Sequence, residues 1–274
     1  MKMYQVDAFT TELFKGNPAA VIVTEHWLDE ALMQNIALEN NLAETAFVKM
    51  LDAENYEIRW FTPTTEVNFC GHATLASSFV LFKDYTAAKT LRFHVKELGI
   101  FVVSQEADGK IKMNFPIRRA KKITDYPEIL KQILSKPFKN VYLNHQAYIM
   151  EYANPEDVRD EKPNLELFKQ WTLSQAGQTQ PKCVLDLAIT AQATAPYDCI
   201  SRYFAPANGI QEDPVTGSIH TAIAPLWAEK LGKKDILAYQ ASARGGKLYC
   251  ELLENERIEI SGYAKLYMQA QLHL

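Results

Sequence analysis

Two short stretches of this chain set a glycine, a hydrogen-bonding side chain and an apolar helical run in immediate succession. The first is Cys70-Gly71-His72-Ala73-Thr74, continued by Leu75, Ala76, Phe79, Val80 and Leu81 at helical spacing. The second is Glu212-Asp213-Pro214-Val215-Thr216-Gly217-Ser218, which also opens an apolar helical run. Glycine at a helix mouth lets a ligand approach the backbone closely, and the exposed N–H groups with the helix dipole favour an anion there. His72 can donate, accept or titrate. Ser218 caps its helix through the hydroxyl or binds a ligand. Asp213 is either a turn former before Pro214 or a carboxylate beside a helix mouth. Read alone, Gly71 serves as well as a steric turn residue, and His72 as a plain helix start.

Glu44 is the other residue with chemical potential. It stands in Leu42-Ala43-Glu44-Thr45-Ala46-Phe47-Val48, between a helix end and a β run, flanked by small residues. It is a surface loop carboxylate or, if the adjoining strand is buried, a partly desolvated one. Desolvation raises a carboxyl pKa and poises it as a base nearer neutrality. Glu44, His72, Asp213 and Ser218 together would set a substrate between an acid/base group and a pair of anchors.

The elements that must position these residues come in two sets. Strands are expected over residues 4–9, 19–23, 42–48, 56–61, 91–95, 100–105 and 110–115, with helices over 29–39 and from His72 to about residue 82. Asn40-Asn41 is a left-handed cap for the first helix. Residues 116–122, holding Arg118-Arg119-Ala120-Lys121-Lys122, read as a solvated connection. Beyond it come helices over 127–134, 164–172 and 218–231, and strands over 141–143, 147–152, 183–189, 197–204, 237–240, 247–253 and 257–260. The expected domains are 1–116 and 123–261, with a strand at 262–274 able to close either half.

The two sets repeat. Arg59-Trp60-Phe61-Thr62-Pro63 returns as Arg202-Tyr203-Phe204-Ala205-Pro206, 143 residues later (59 to 202). Each copy leads through a polar loop to Gly and an apolar helix, the second loop being three residues longer (Pro63 to Gly71 against Pro206 to Gly217). Duplicated halves that face each other would point two helix N-termini into one cleft, a preferred ligand location. Two positive dipole ends there suit a carboxylate-bearing small molecule, or one that becomes an enolate-like anion.

Composition sets the outer bounds. The 274 residues are 47% hydrophobic and 23% charged, enough for a sizeable core. A net charge of −4 without a basic block or aromatic-basic interleaving argues against nucleic acid. Cys70, Cys183, Cys199 and Cys250 lack CxxC spacing, which speaks against structural zinc, and their scatter fits reduced thiols. The N-terminus reads as a strand and not as a signal peptide, and no apolar run approaches the roughly 18–20 residues of a membrane span. A cytoplasmic protein with no membrane partner is expected.

Taken together, Asp7-Ala8-Phe9, Phe14-Lys15-Gly16-Asn17-Pro18-Ala19-Ala20-Val21, Met33-Gln34-Asn35-Ile36-Ala37, Asn41-Leu42-Ala43-Glu44-Thr45-Ala46-Phe47, Phe61-Thr62-Pro63, Cys70-Gly71-His72-Ala73-Thr74 and Glu212-Asp213-Pro214-Val215-Thr216-Gly217-Ser218 resemble the phenazine-biosynthesis PhzF-like isomerase family, nearly end to end. The resemblance implies an α+β fold like that of diaminopimelate epimerase: two pseudo-symmetric α/β halves, each a curved, mostly antiparallel sheet around a central helix. It implies that Glu44 moves a proton, and that Gly71, His72, Asp213, Gly217 and Ser218 shape the substrate pocket. It further implies a homodimer, and isomerase chemistry without metal or organic cofactor on a small carboxylate such as a dihydro-hydroxyanthranilate.

Some residues depart from the family pattern. Ala43 stands where a Ser is frequent before the Glu, which removes one hydrogen bond from the pocket. Gln240-Ala241-Ser242-Ala243-Arg244-Gly245-Gly246-Lys247 replaces a Gly-rich form, with Gln240 and Arg244 still able to reach the cleft. The epimerase relatives use two thiols, one from each half; here Cys70 fills the first place while the second loop carries Asp213 and no Cys. That disfavours a two-thiol epimerase and leaves Cys70 as a small buried residue under the helix mouth. A non-catalytic carboxylate-binding protein on the same scaffold is the competing reading.

Overall fold

Alternating apolar and polar residues build the strands, and runs that are apolar on every side build two long inner helices. The computed structural model describes residues 1–96, 98–176 and 184–274; the expected strand start at Cys183 lies outside them. The chain divides into two compact units, Met1–Asn114 with Glu259–Leu274, and Phe115–Ile258. Among the described residues no helix is long and apolar enough to cross a membrane.

The first unit runs β1 (Lys2–Ala8), β2 (Asn17–Thr24), α1 (Glu30–Asn40), β3 (Glu44–Met50), β4 (Asn55–Phe61), β5 (Glu66–Val67), α2 (Gly71–Asp84), β6 (Thr90–Val95), β7 (Gly99–Gln105) and β8 (Ile111–Pro116). The C-terminal strand Ala264–Gln271 pairs antiparallel with β1. From it the sheet proceeds through β1, β2, β3, β4, β6, β7 and β8, with β2/β3 and β4/β6 parallel and the other pairs antiparallel. Helix α1 closes on Asn41 in the left-handed region (φ 48°), whose N–H returns to the Ala37 carbonyl.

Helix α2 packs on β1, β2 and β3 and is buried on nearly every side. Small residues make that possible. Thr74, Ser77 and Ser78 give their hydroxyl protons to the carbonyls of Cys70, Ala73 and Thr74, four residues back (2.6, 2.7 and 2.8 Å). Their burial therefore leaves no hydroxyl unsatisfied.

The second unit runs β9 (Lys121–Ile123), α3 (Leu130–Ile133), β10 (Phe138–Leu143), β11 (Ala147–Tyr152), α4 (Pro155–Asp160), α5 (Leu165–Ala176), β12 (Asp186–Gln192), β13 (Cys199–Phe204), α6 (Gly217–Leu231), β14 (Asp235–Gln240) and β15 (Gly246–Leu252), and the chain returns to the first unit within β16 (Arg257–Gly262). The strand order is β9, β10, β11, β12, β13, β14, β15, with β11/β12 and β13/β14 parallel. Parallel and antiparallel pairs alternate as in the first unit, so the duplicated motif marks a duplicated topology.

The repeated Arg-aromatic-Phe has a physical basis. Arginine and phenylalanine two apart share one strand face. The Arg59 guanidinium lies 5.2 Å from the Phe61 ring centre and Arg202 5.0 Å from that of Phe204. Each arginine then holds a glutamate in a two-pronged pair: Arg59 with Glu66 at 2.6 and 2.7 Å, Arg202 with Glu212 at 2.7 and 3.0 Å. Glu66, in the short β5, and Glu212, in a loop, lie on the approaches to α2 and α6, so the motif anchors the approach to each helix mouth.

Three local expectations change. The helix expected over 127–134 shrinks to Leu130–Ile133: ahead of it the bonds are three-residue turns (Leu130 N–H to Pro127, Lys131 N–H to Glu128), and past its end Glu161 accepts the Ser135 and Lys136 N–H groups (2.8 and 3.0 Å). The short α4 after Asn154 was not anticipated. The segment expected as a solvated connection is exposed but docked. Ile117 N–H meets the Glu256 carbonyl, and β9 pairs with β10. Arg118 N–H meets the Thr221 carbonyl at 3.1 Å. Pro225, inside α6, has no N–H to give that carbonyl, and Arg118 supplies one instead.

Candidate functional site

In the first unit the candidate residues converge. Glu44 is the first residue of β3, opposite Ala19 of the parallel β2. The turn before it is held by the Asn40 amide on the Thr45 hydroxyl (3.0 Å). Cys70 is the extended N-cap of α2, and His72 follows in its first turn. Glu44, Cys70 and His72 are 8%, 7% and 6% exposed, so the reading of Glu44 as a surface loop residue does not hold.

Glu44 Oε2 stands 3.0 Å from His72 Nε2. The contact has ion-pair distance, yet it is not aligned as a hydrogen bond, and Oε2 is a buried oxygen with no hydrogen-bond partner. On the other side of the ring, Nδ1 lies 3.1 Å from the Asn17 amide nitrogen and 3.4 Å from Cys70 Sγ. Burial pushes the His72 pKa down, but Cys70 and Glu44 outweigh it and hold the pKa well above the usual value. Burial pushes the Cys70 thiol up to about 11, with the Glu44 charge adding to it. At neutral pH that thiol is uncharged, so the anion that favours the protonated ring there is Glu44; the Nδ1–H of that ring requires the Asn17 amide to be turned so that its oxygen faces it.

Gly71 lies beside this pair, and the structure separates its two readings. Its backbone is not in the left-handed region, and a Cβ there would meet only Phe69 Cε1, at an ordinary 3.8 Å. Local sterics therefore do not demand glycine. A side chain would instead stand in front of the helix mouth.

Glu44, Cys70 and His72 place their ligand atoms within 4.8 Å of one another, close enough for one metal ion. Loading it would require removing the proton from an imidazolium held up by its carboxylate neighbour and from a thiol with a pKa of about 11. The donor set fits an ion pair at neutral pH better than a metal centre.

The second unit gathers the remaining candidates. Asp213 is 8% exposed, and its carboxylate accepts the Thr216 hydroxyl proton in a very short hydrogen bond. Gln240 does not reach outward as expected. It is fully buried on β14, donating to the Asp213 carbonyl (2.7 Å) and accepting from Thr216 N–H (2.8 Å), and so fixes the loop from behind. Gly217 is the first residue of α6 and is buried, and Ser218 beside it is exposed. His220 is fully buried; its Nδ1–H donates to the Thr216 carbonyl (2.7 Å), and Nε2 then accepts from Ser201 (3.2 Å). Burial lowers its pKa to about 4, so it is a neutral, satisfied core histidine.

Registers align the two units residue by residue. Cys70 and Thr216 both precede the helix glycine, and Thr74 and His220, three past it, both bond back to that residue's carbonyl. The position across from the Cys70 thiol in the repeat is thus a threonine. Sequence reasoning missed Asn17, although its turn carried part of the family pattern. It also missed the buried Asp186 on β12, where nothing marked a single carboxylate at the head of an apolar strand.

Comparison with known proteins agrees with the duplicated architecture. The chain is 39% identical to an uncharacterized isomerase of Halalkalibacterium halodurans, covering 99% of this chain and 98% of the relative. A crystal structure of a PhzF-family phenazine biosynthesis protein from Enterococcus faecalis superposes with a TM-score of 0.89 at 39% identity, over 100% of this chain and 99% of that one. A probable proline racemase from Agrobacterium radiobacter shares the fold alone, with a TM-score of 0.63 at 8% identity over 100% of this chain and 93% of that one. Residues 6–270 match the family described as phenazine biosynthesis-like protein. With the repeat, the two helix mouths and full-length relatives in agreement, the chain belongs to the phenazine biosynthesis-like protein family.

Proposed function

We propose that the protein is a PhzF-like isomerase that shifts a proton on a small, carboxylate-bearing substrate, with Glu44 as the acid/base group and no metal or organic cofactor in the reaction. The observation that carries this reading is the buried, unbonded Glu44 Oε2 beside His72 Nε2. A buried carboxylate oxygen without a hydrogen bond costs free energy, and a role in accepting protons accounts for its retention. Glu44 would take a proton from a carbon acid, leaving an enolate-like anion, and return a proton, exchangeable with solvent while the carboxyl holds it, to another carbon, so the protein ends unchanged.

His72, with its pKa held up, is a poor base at neutral pH. Its charge anchors the substrate anion. The α2 N–H groups at Gly71 add to that anchor. In the second unit, Asp213, Gly217 and exposed Ser218 are the further anchoring groups, as the resemblance implies. Threonine in the place of a second thiol supports proton return by one group over two-thiol racemisation. An anthranilate-like ring suits two hydrogen-bonding anchors; the phenazine pathway itself is not part of the proposal. A homodimer, supported by the family resemblance, is the proposed assembly, and light scattering that finds a monomer would remove it.

The test is solvent exchange. Cyclic and unsaturated carboxylates are incubated in deuterium oxide with wild type and Glu44→Gln, and incorporation is followed by mass spectrometry. General acid–base catalysis contributes about 10²–10⁴-fold, so the variant should be slower by about 10²-fold or more. Equal rates would remove Glu44 from the role. Binding without any exchange would favour a binding protein on this scaffold.

A further inference from the structure

A buried polar network that the proposed reaction leaves unused starts at Asp186. This residue, 8% exposed, heads β12 opposite Ala147 of the parallel β11, the register place that Glu44 holds opposite Ala19 in the first unit. Its Oδ2 accepts the Tyr203 hydroxyl proton at 2.5 Å, and its Oδ1 accepts from the Asn208 amide at 3.1 Å. The Gln146 side-chain nitrogen donates both to Tyr203 Oη (2.9 Å) and to Ser218 Oγ (2.8 Å).

The directions along this chain are determined. With its proton on Asp186, Tyr203 Oη can only accept, so Gln146 must present its NH₂ end. The second hydrogen of that NH₂ points at Ser218 Oγ. The hydroxyl proton of Ser218 is then left to point away from the network, at the exposed helix mouth.

We propose that Asp186 is a positioning residue that acts through Tyr203 and Gln146 to set Ser218 as a hydrogen-bond donor to the substrate carboxylate. The proposal rests on the reading of Ser218 as an anchor. The first unit shows why the second carboxylate is wired in this way. Glu44 reaches His72 directly, and the residue at the Tyr203 position is Trp60, whose indole N–H is buried without a partner. The shorter Asp186 meets a tyrosine hydroxyl there and passes its influence on.

The network also has a protonation state to lose. Burial raises the Asp186 pKa to about 7, against the hydrogen bonds from Tyr203 and Asn208 and with a contribution from Asp213. The polar groups facing it are Tyr203 and Asn208, and the charged one is Asp213. Tyr203 is held protonated by burial and by the Asp186 charge. Once Asp186 is itself protonated it can donate to Tyr203 Oη. The tyrosine proton then turns to Gln146, the amide reverses, and the Ser218 proton is drawn inward. Ser218 would then face an anion as an acceptor.

The probe is anthranilate, an aromatic carboxylate, with affinity measured calorimetrically between about pH 5.5 and 8.5, a range that brackets the carboxyl titration. Wild-type affinity should rise by about tenfold through neutrality, the scale of one charge-assisted hydrogen bond. Asp186→Asn and the better-packed Tyr203→Phe should bind about tenfold more weakly at the alkaline end and show no such pH dependence. In a Ser218→Ala background Asp186→Asn should cost nothing more. If Ser218→Ala weakens binding but Asp186→Asn adds its full effect on top, the relay is wrong and the anchor stands. If Ser218→Ala binds as well as wild type, or anthranilate does not bind, the anchor fails and the relay with it.

Discussion

Replacing Glu44 with glutamine tests the electrostatics of the site without needing its substrate. The carboxylate and the imidazolium are 3.0 Å apart, with side chains 11% and 7% exposed. At an effective dielectric near 20 their attraction is about 5 kcal/mol before desolvation, and burying two charges offsets much of it. Glutamine keeps the shape and removes the charge. With the thiol neutral, burial then outweighs what Cys70 still contributes, and the His72 pKa should fall below its unfolded value of about 6.5. His72 can escape by releasing its proton, which limits the net loss to about 2 kcal/mol at pH 7.

The pH dependence carries a sign. In wild type the folded pKa of His72 lies above the unfolded one. Its contribution is therefore fully present below about pH 6.5 and fades as pH rises through the folded pKa. In Glu44→Gln the folded pKa lies below the unfolded one, so folding prefers the neutral ring, and that preference is lost on acidification. The stability difference should thus widen as pH falls, by no more than about 1.4 kcal/mol per pH unit. Urea denaturation across pH measures it, and the His72 Cε1–H resonance reports the charge directly. Cys70→Ala is the control, since its neutral thiol contributes no charge at pH 7, and His72 should stay protonated there. A variant Glu44→Gln in which His72 titrates where it does in wild type, or a pH-independent stability difference, would refute the argument.

Three further outcomes follow from the packing. Cys70, Cys199 and Cys250 are buried with pKa values raised by burial, so iodoacetamide at about pH 8 should leave them unmodified until denaturant is added; mass spectrometry of native digests checks this. Gly16→Ala would force φ +66° on a residue whose Cβ meets the Ala8 carbonyl oxygen at 2.0 Å, so it should lower stability by more than about 2 kcal/mol in thermal melts and disturb the neighbouring Asn17. Arg202→Leu strands Glu212, with side chains only 13% and 24% exposed in the pair; it should cost about 2 kcal/mol and speed hydrogen exchange over residues 212–216, whereas unchanged exchange there would mean the pair does not anchor the loop.

What was legible in the sequence depended on whether the responsible contacts were local. Arg59 with Phe61 and Arg202 with Phe204 could be seen as a repeat because stacking two residues apart is written in adjacent letters. The glutamates they hold were visible only as part of a polar stretch. The inner helices announced themselves through unbroken small and apolar residues, and Asn41 through its place after a helix. Asp186 escaped because its match to Glu44 is set by strand register. It follows Glu44 by 142 residues (44 to 186) where the arginines are 143 apart (59 to 202), so a fixed offset misses it and the residue type differs as well. The charge state of His72 was out of reach for a related reason. A histidine in the first turn of a glycine-led helix is neutral when its neighbours are those of His220 and charged when they are those of His72, and in this chain the deciding neighbour arrives from a different strand. The repeat therefore specified two copies of one scaffold, while the chemistry that distinguishes them came from what each strand brings to the helix mouth: a carboxylate in direct contact in one unit, and a carboxylate acting through a tyrosine and an amide in the other.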